Sequence, residues 1–134
     1  MDTKPVYDIF FNPELKAVVM NWHGYSTSRQ LKEGSEKMLK TLIEHKANKV
    51  LANLKEMILI SMEDQNWIEH SFIPRGTEKG FKAIAIIKPK SYFNRVAVEN
   101  IASKIENRDL MIIKQFDNEG EAIAWLNQVE IEKS

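Results

Sequence analysis

Apolar and polar residues recur along the chain with two different periods, and the points where the period changes divide it into strands and helices. Val6 to Phe11 reads as a strand, Asn12-Pro13-Glu14 supplies turn chemistry, and Lys16 to Trp22 reads as a second strand centred on Val18, Val19 and Met20. The chain is therefore expected to open on a hairpin. Thr27 with Gln30 three residues later has the spacing of a capping box. From Leu31 the apolar positions Leu31, Met38, Leu39, Leu42 and Ile43 share one helical face as far as His45 or Ala47. Lys49 to Leu54 is too short for a helix and suits a buried strand. Four consecutive apolar residues, Met57 to Ile60, then lie between this strand and the next helix.

Ser61 and Asp64 repeat the N-cap spacing, and Glu63 and Asp64 place negative charge in the first turn, where the helix dipole favours it. Trp67, Ile68 and Phe72 follow. Pro74 disfavours helical geometry in the residue before it, so this helix is expected to end near Ile73, with Arg75 to Gly80 a polar loop. Phe81 to Ile87 is nearly continuous apolar sequence, the mark of a central strand covered on both faces. Asn94 to Asn107 carries Val98, Ile101, Ala102 and Ile105 on one helical stripe, and Leu110 to Phe116 reads as a last strand. Asn118 with Glu121 caps a final helix whose apolar face is Ala122, Trp125, Leu126 and Val129, and Trp125 is expected to be largely buried.

The order β-β-α-β-α-β-α-β-α implies one α/β domain over residues 1–134. Its five-stranded sheet should be mostly parallel, with the first strand antiparallel at an edge and helices on both faces. Composition agrees: 43% hydrophobic and 28% charged residues are values of a globular chain, not a disordered one. Nineteen basic and nineteen acidic residues leave no net charge, so no bulk field recommends nucleic acid. The absence of cysteine excludes disulfides, thiolate catalysis and cysteine-held metal. No leader-like or membrane-length apolar run occurs, so membrane insertion is not expected and the cytoplasm is the expected location.

Several short segments carry a family resemblance. Trp22 followed by a glycine-containing loop, Ser61-Met62-Glu63-Asp64-Gln65-Asn66-Trp67-Ile68, Gly80-Phe81-Lys82-Ala83-Ile84-Ala85, and Phe116-Asp117 with Glu121-Ala122-Ile123-Ala124-Trp125-Leu126 together resemble the SpoIIAA-like family. The resemblance implies a fold similar to anti-sigma-factor antagonist (STAS) domains and to the lipid-binding core of CRAL-TRIO domains, in a group not established as enzymes. In regulatory STAS domains a phosphorylated serine or threonine opens the helix after the third strand. Ser61 occupies the comparable place, flanked here by Ile60 and Met62 with no glycine after it.

The candidate chemistry is sparse. His23, His45 and His70 form no metal-ligand spacing, so no metal or other cofactor is expected. His45 is expected to stabilise a helix C-terminus and His70 to be a solvated helix residue. His23, placed in the loop after a parallel strand, lies where ligands usually bind. No Gly-x-Ser-x-Gly elbow or phosphate-cradling glycine loop occurs, and no residue set assembles nucleophile, base and orienting group. No catalytic residue is assigned, and the chain is not expected to be an enzyme. Two readings follow. One is an interaction or regulatory module contacting a homodimer mate or protein partner through Met57, Ile58, Leu59, Ile60 and Ser61. The other is a site for a small apolar or anionic ligand at the carboxyl edge of the sheet, formed by His23, Lys88, Lys90, Ser91 and Tyr92.

Overall fold

A computed structural model describes residues 6–58 and 61–131. Strands β1 (Tyr7–Asn12), β2 (Ala17–Tyr25), β3 (Lys49–Ile58), β4 (Ala83–Ile87) and β5 (Ile112–Phe116) form one five-stranded sheet in the order of the sequence. β1 is antiparallel to β2 at the edge, and all other neighbours are parallel. The hairpin turn is built by Asn12, whose Oδ1 accepts from the backbone N–H groups of Glu14 and Leu15 at 3.0 and 3.1 Å.

Because parallel strands added in one direction are joined by right-handed crossovers, the connecting helices must all lie on the same face. Helices α1 (Ser28–Glu44), α2 (Met62–Trp67), α3 (Ile73–Glu78) and α4 (Tyr92–Asn107) meet this rule: residues from this side pack with Val18, Met20, Trp22, Val50 and Ala52 in the larger core. Only α5 (Glu119–Gln128), which follows the last strand, reaches the opposite face, where Ala122 and Leu126 cover Val19, Leu51, Ala85 and Ile87. Lys49 helps to fix α5 by donating from Nζ to the carbonyl of Leu126 at 2.8 Å. Burial, with the charge of Lys16, holds its pKa below the ordinary lysine value.

The three local caps form as the sequence predicts, with Thr27, Ser61 and Asn118 accepting from the N–H groups of Gln30, Asp64 and Glu121. Other boundaries need correction. The helix begun at Ser61 does not stop at Ile73, and Arg75 to Gly80 is not a loop: a π turn over Ile68–Phe72 joins α2 to α3, which runs through Pro74 to Glu78. In the π turn the Ile73 N–H donates to the Ile68 carbonyl, five residues back. The next donor in that register would be Pro74, which has none. Arg108, at the end of α4, supplies it, with Nη1 donating to the Glu69 carbonyl at 3.1 Å. A proline inside a helix is thus tolerated because a side chain from another element replaces its missing hydrogen bond.

The same guanidinium and the Lys104 ammonium each lie 3.8 Å from the nearly buried Glu69 carboxylate. The two cations are about half exposed, so these ion pairs add little and the hydrogen bond carries the contact. Arg108→Met, which keeps the aliphatic stem, should cost about 1–3 kcal/mol and raise amide exchange selectively between residues 68 and 78. Uniform exchange across the chain would show that Arg108 does not support this turn.

Trp125 is only partly buried, stacked obliquely on Phe116 at 5.8 Å, because Ala122 and Leu126 hold the fully covered positions of α5. Val129 falls just outside that helix as its C-cap.

Candidate functional site

The carboxyl edge of the sheet is built by an overhang. β4 pairs with β3 only as far as Asn53, whereas β3 continues to Ile58 beside β2, with His23, Gly24 and Tyr25 opposite Glu56, Met57 and Ile58. On its other side the overhang is held by the segment entering α4. The Lys90 N–H donates to the Lys55 carbonyl at 3.2 Å, and Asn94, buried, donates from Nδ2 to the Met57 carbonyl at 2.7 Å. Met57 and Ile58 therefore belong to a strand and not to a connection. Met57 is buried and Ile58 is 53% exposed. His23 likewise lies within β2, exposed, and not in the loop after it.

A groove of ≈ 350 Å³ runs along this overhang, lined by Lys55, Glu56, Met57, Ile58, Lys90, Ser91, Phe93 and Asn94. Lys90 pairs with Glu56 at 2.8 Å and holds that carboxyl below the ordinary carboxylate range, through its hydrogen bond first and its charge second. Ser91 is the N-cap residue of α4 but makes no side-chain cap bond. Phe93 of this lining is 79% exposed, and so, toward the same carboxyl end of the strands, are Tyr25 at the end of β2 (62%), Met62 at the start of α2 (64%) and Tyr92 at the start of α4 (74%). Tyr92 and Phe93 meet edge to face at 6.1 Å.

Behind the groove, between the sheet and helices α1 and α4, lies an apolar cavity of ≈ 110 Å³. Met20, Met38, Met57 and Met111 are on its wall, with Leu, Ile, Phe and Ala side chains around them, and Ser35 is the one polar residue there.

The two sets of residues singled out from the sequence are thus partly merged. Met57 and Ile58 share the groove with Lys90 and Ser91, and His23 stands across from Glu56 on the neighbouring strand. Lys88 turns toward β5 instead, pairing with Asp117 at 3.2 Å, a carboxylate that Arg95 also approaches at 3.8 Å. Tyr92 stands outside the groove, and Ser61 is engaged as the cap of α2. Leu59 and Ile60 lie outside the described residues. Sequence reading missed Tyr25, Met62 and Phe93. The signal for the last was present: Tyr92 and Phe93 are both out of phase with the buried positions Asn94, Val98, Ala102 and Ile105 of α4.

His45 ends α1 and stacks on Phe11 at 4.2 Å, and His70 is exposed beside Glu69. Among the described residues no three His, Asp or Glu side chains gather closely enough to hold a metal ion, and no helix is long and apolar enough to cross a membrane.

No family model matches the chain, and no curated protein does. Among solved structures, the chain is similar to an uncharacterized protein of the DUF3478 family with a SpoIIAA-like fold from Shewanella loihica PV-4. The two share 16% identity with a TM-score of 0.63, over 94% of this chain and 98% of that one. The chain has a SpoIIAA-like fold.

Proposed function

We propose that this SpoIIAA-like domain is a non-enzymatic interaction module of STAS-like type whose contact surface is the carboxyl edge of the sheet. The observation that carries this reading is the concentration of uncovered apolar side chains at that one edge: Tyr25, Ile58, Met62, Tyr92 and Phe93. Singly exposed apolar residues need no explanation, but several gathered at one end of a sheet beside a charged groove are typical of a surface that another molecule covers. The groove supports the same reading, because a concave floor between Ile58 and Phe93 gives a partner side chain somewhere to seat. A homodimer mate and a different protein both fit this surface.

The test is the double substitution Tyr25→Ser and Tyr92→Ser. Both side chains are more than half exposed, so the variant should keep its stability to within about 0.5 kcal/mol for each change. It should lose self-association in sedimentation equilibrium, or lose a partner that the wild type retains from a native lysate. A wild type that stays monomeric at high concentration and retains nothing that the variant releases would overturn the proposal.

A further inference from the structure

β1 is an edge strand, paired on one side only. The His23 N–H donates to the Val6 carbonyl at 2.8 Å, and the register of β1 with β2 runs on from that pair without a shift. Hydrogen-bonded and non-hydrogen-bonded pairs alternate along an antiparallel ladder, so Asp8, Phe10 and Asn12 bond to β2 through their backbone. The N–H and C=O groups of Tyr7, Ile9 and Phe11 therefore point outward. Among the described residues nothing partners them. Exposed edges are commonly guarded by a lysine, a proline, a bulge or a covering segment, and β5, at the other edge of the sheet, has Lys114 at its centre. β1 has no lysine, proline or bulge. It also carries Phe10, which pairs with Val19 on the face that α5 covers and is nonetheless 45% exposed.

We propose that the outer side of β1 pairs antiparallel with β1 of a second copy of this chain, joining the two sheets into one across a two-fold axis at Phe10. A foreign strand would satisfy the same backbone groups. What selects a second copy is the self-complementarity of the side chains, which a two-fold contact requires. With the axis at Phe10, Ile9 and Phe11 exchange hydrogen bonds with their counterparts, Phe10 faces Phe10, and Asp8 faces Asn12. Phe10 then falls at a non-hydrogen-bonded position, where opposed side chains come closest and aromatic pairs are favourable. Asp8 and Asn12 match as acceptor and donor. The Asn12 Oδ1 is taken by the turn, and its Nδ2 amide group is a donor that the turn does not use. The Asp8 Oδ2 accepts from Asn21 at 3.1 Å, which leaves Oδ1 for that donor. Neighbouring symmetric registers are worse: an axis at Asp8 sets two carboxylates against each other, and an axis at Ile9 puts each Phe10 opposite an aspartate. No residue of β1 lines the groove at the carboxyl edge, so this dimer does not rest on the contact proposed there.

Sedimentation equilibrium of the wild-type chain should give twice the mass of one copy. Phe10→Lys and Phe10→Glu each alter an exposed side chain and each set like charges against one another on the axis, so each alone should sediment as a monomer. Mixed in equal amounts they place opposite charges face to face and should recover the dimer. The Tyr25→Ser/Tyr92→Ser variant should dimerise as the wild type does, which separates this contact from one at the carboxyl edge. Because the chain has no cysteine, the register can be read from single introduced thiols. Directly opposed positions bring Cβ atoms within disulfide reach, so Phe10→Cys should cross-link to its own copy at least tenfold faster than Asp8→Cys. The proposal is overturned if the wild type is monomeric at millimolar concentration, or if the dimer is lost in Tyr25→Ser/Tyr92→Ser and kept in both charged Phe10 variants. It is overturned equally if the mixed charged variants stay monomeric, or if Asp8→Cys cross-links as fast as Phe10→Cys. A monomeric wild type that captures a different protein through Phe10 would overturn it too, giving this edge to a foreign strand.

Discussion

Phe81→Ala should lower the unfolding free energy by about 3–5 kcal/mol, measured by chemical denaturation with an unchanged dependence on denaturant concentration. Phe81 is 1% exposed and sits at the junction of α3 and β4, where its N–H donates to the Gly76 carbonyl at 2.9 Å. Its ring lies against Gly76 so closely that a Cβ built there would stand 3.1 Å from Phe81 Cδ2. It also forms part of the cavity wall, so truncation would enlarge an existing void instead of letting neighbours close in. The void term then adds to the lost transfer energy, which places the expected value in the upper part of the range. Domains of this size are stable by about 5–15 kcal/mol, so the variant should remain folded in the absence of denaturant with a much reduced margin. A loss below about 1 kcal/mol would mean that the ring does not bridge α3 to the sheet as the structure has it.

What the sequence revealed was whatever depends on neighbours in the chain. Thr27, Ser61 and Asn118 each reach an N–H three residues on, so a cap can be read from two letters. The element order and the antiparallel edge strand were legible too, because a hairpin followed by alternating strands and helices with right-handed crossovers leaves few topologies. Pro74 misled because its local effect is real but is offset by Arg108, more than thirty residues away, whose donor cannot be inferred from the sequence around the proline. The length of β3 was hidden for the same reason. Lys55 and Met57 have their carbonyls satisfied by Lys90 and Asn94, so the strand continues where its own pattern had ceased to alternate. The candidate site was visible only in fragments: the apolar run from Met57 and the lysines before α4 were each noticed, but only the overhang of β3 puts Ile58 beside Lys90. Tyr25 joined them because β2 extends past Trp22 to pair with that overhang.

Trp22→Ala should cost about 3–5 kcal/mol, and its larger value is as one side of a double-mutant cycle with Gly34. Trp22 is 2% exposed, and its ring packs into α1 at Gly34 with Tyr7 alongside at 5.3 Å between centroids. A Cβ added at Gly34 would lie 2.6 Å from Trp22 Cη2 and 3.1 Å from Tyr7 Cδ2, a clash that a ring locked between sheet and helix cannot relieve by rotating. Two effects therefore oppose each other in Gly34→Ala. Overpacking costs about 1–3 kcal/mol, while alanine in a helix interior is better than glycine by about 1 kcal/mol. Steric cost should win in the wild type, making Gly34→Ala destabilising. Once Trp22 is alanine the 2.6 Å clash is gone and only the 3.1 Å contact with Tyr7 opposes the helix preference. Tyr7 is a partly exposed side chain on the edge strand that can shift into the space the indole leaves, so the same substitution should become stabilising by up to about 1 kcal/mol. Trp22→Phe, which removes less of the ring, should give an intermediate value and keeps the cycle measurable if the alanine background is too unstable. An inverted sign would tie the glycine of α1 directly to the tryptophan of β2. If Gly34→Ala is equally harmful with and without the indole, the glycine is required by something other than this contact.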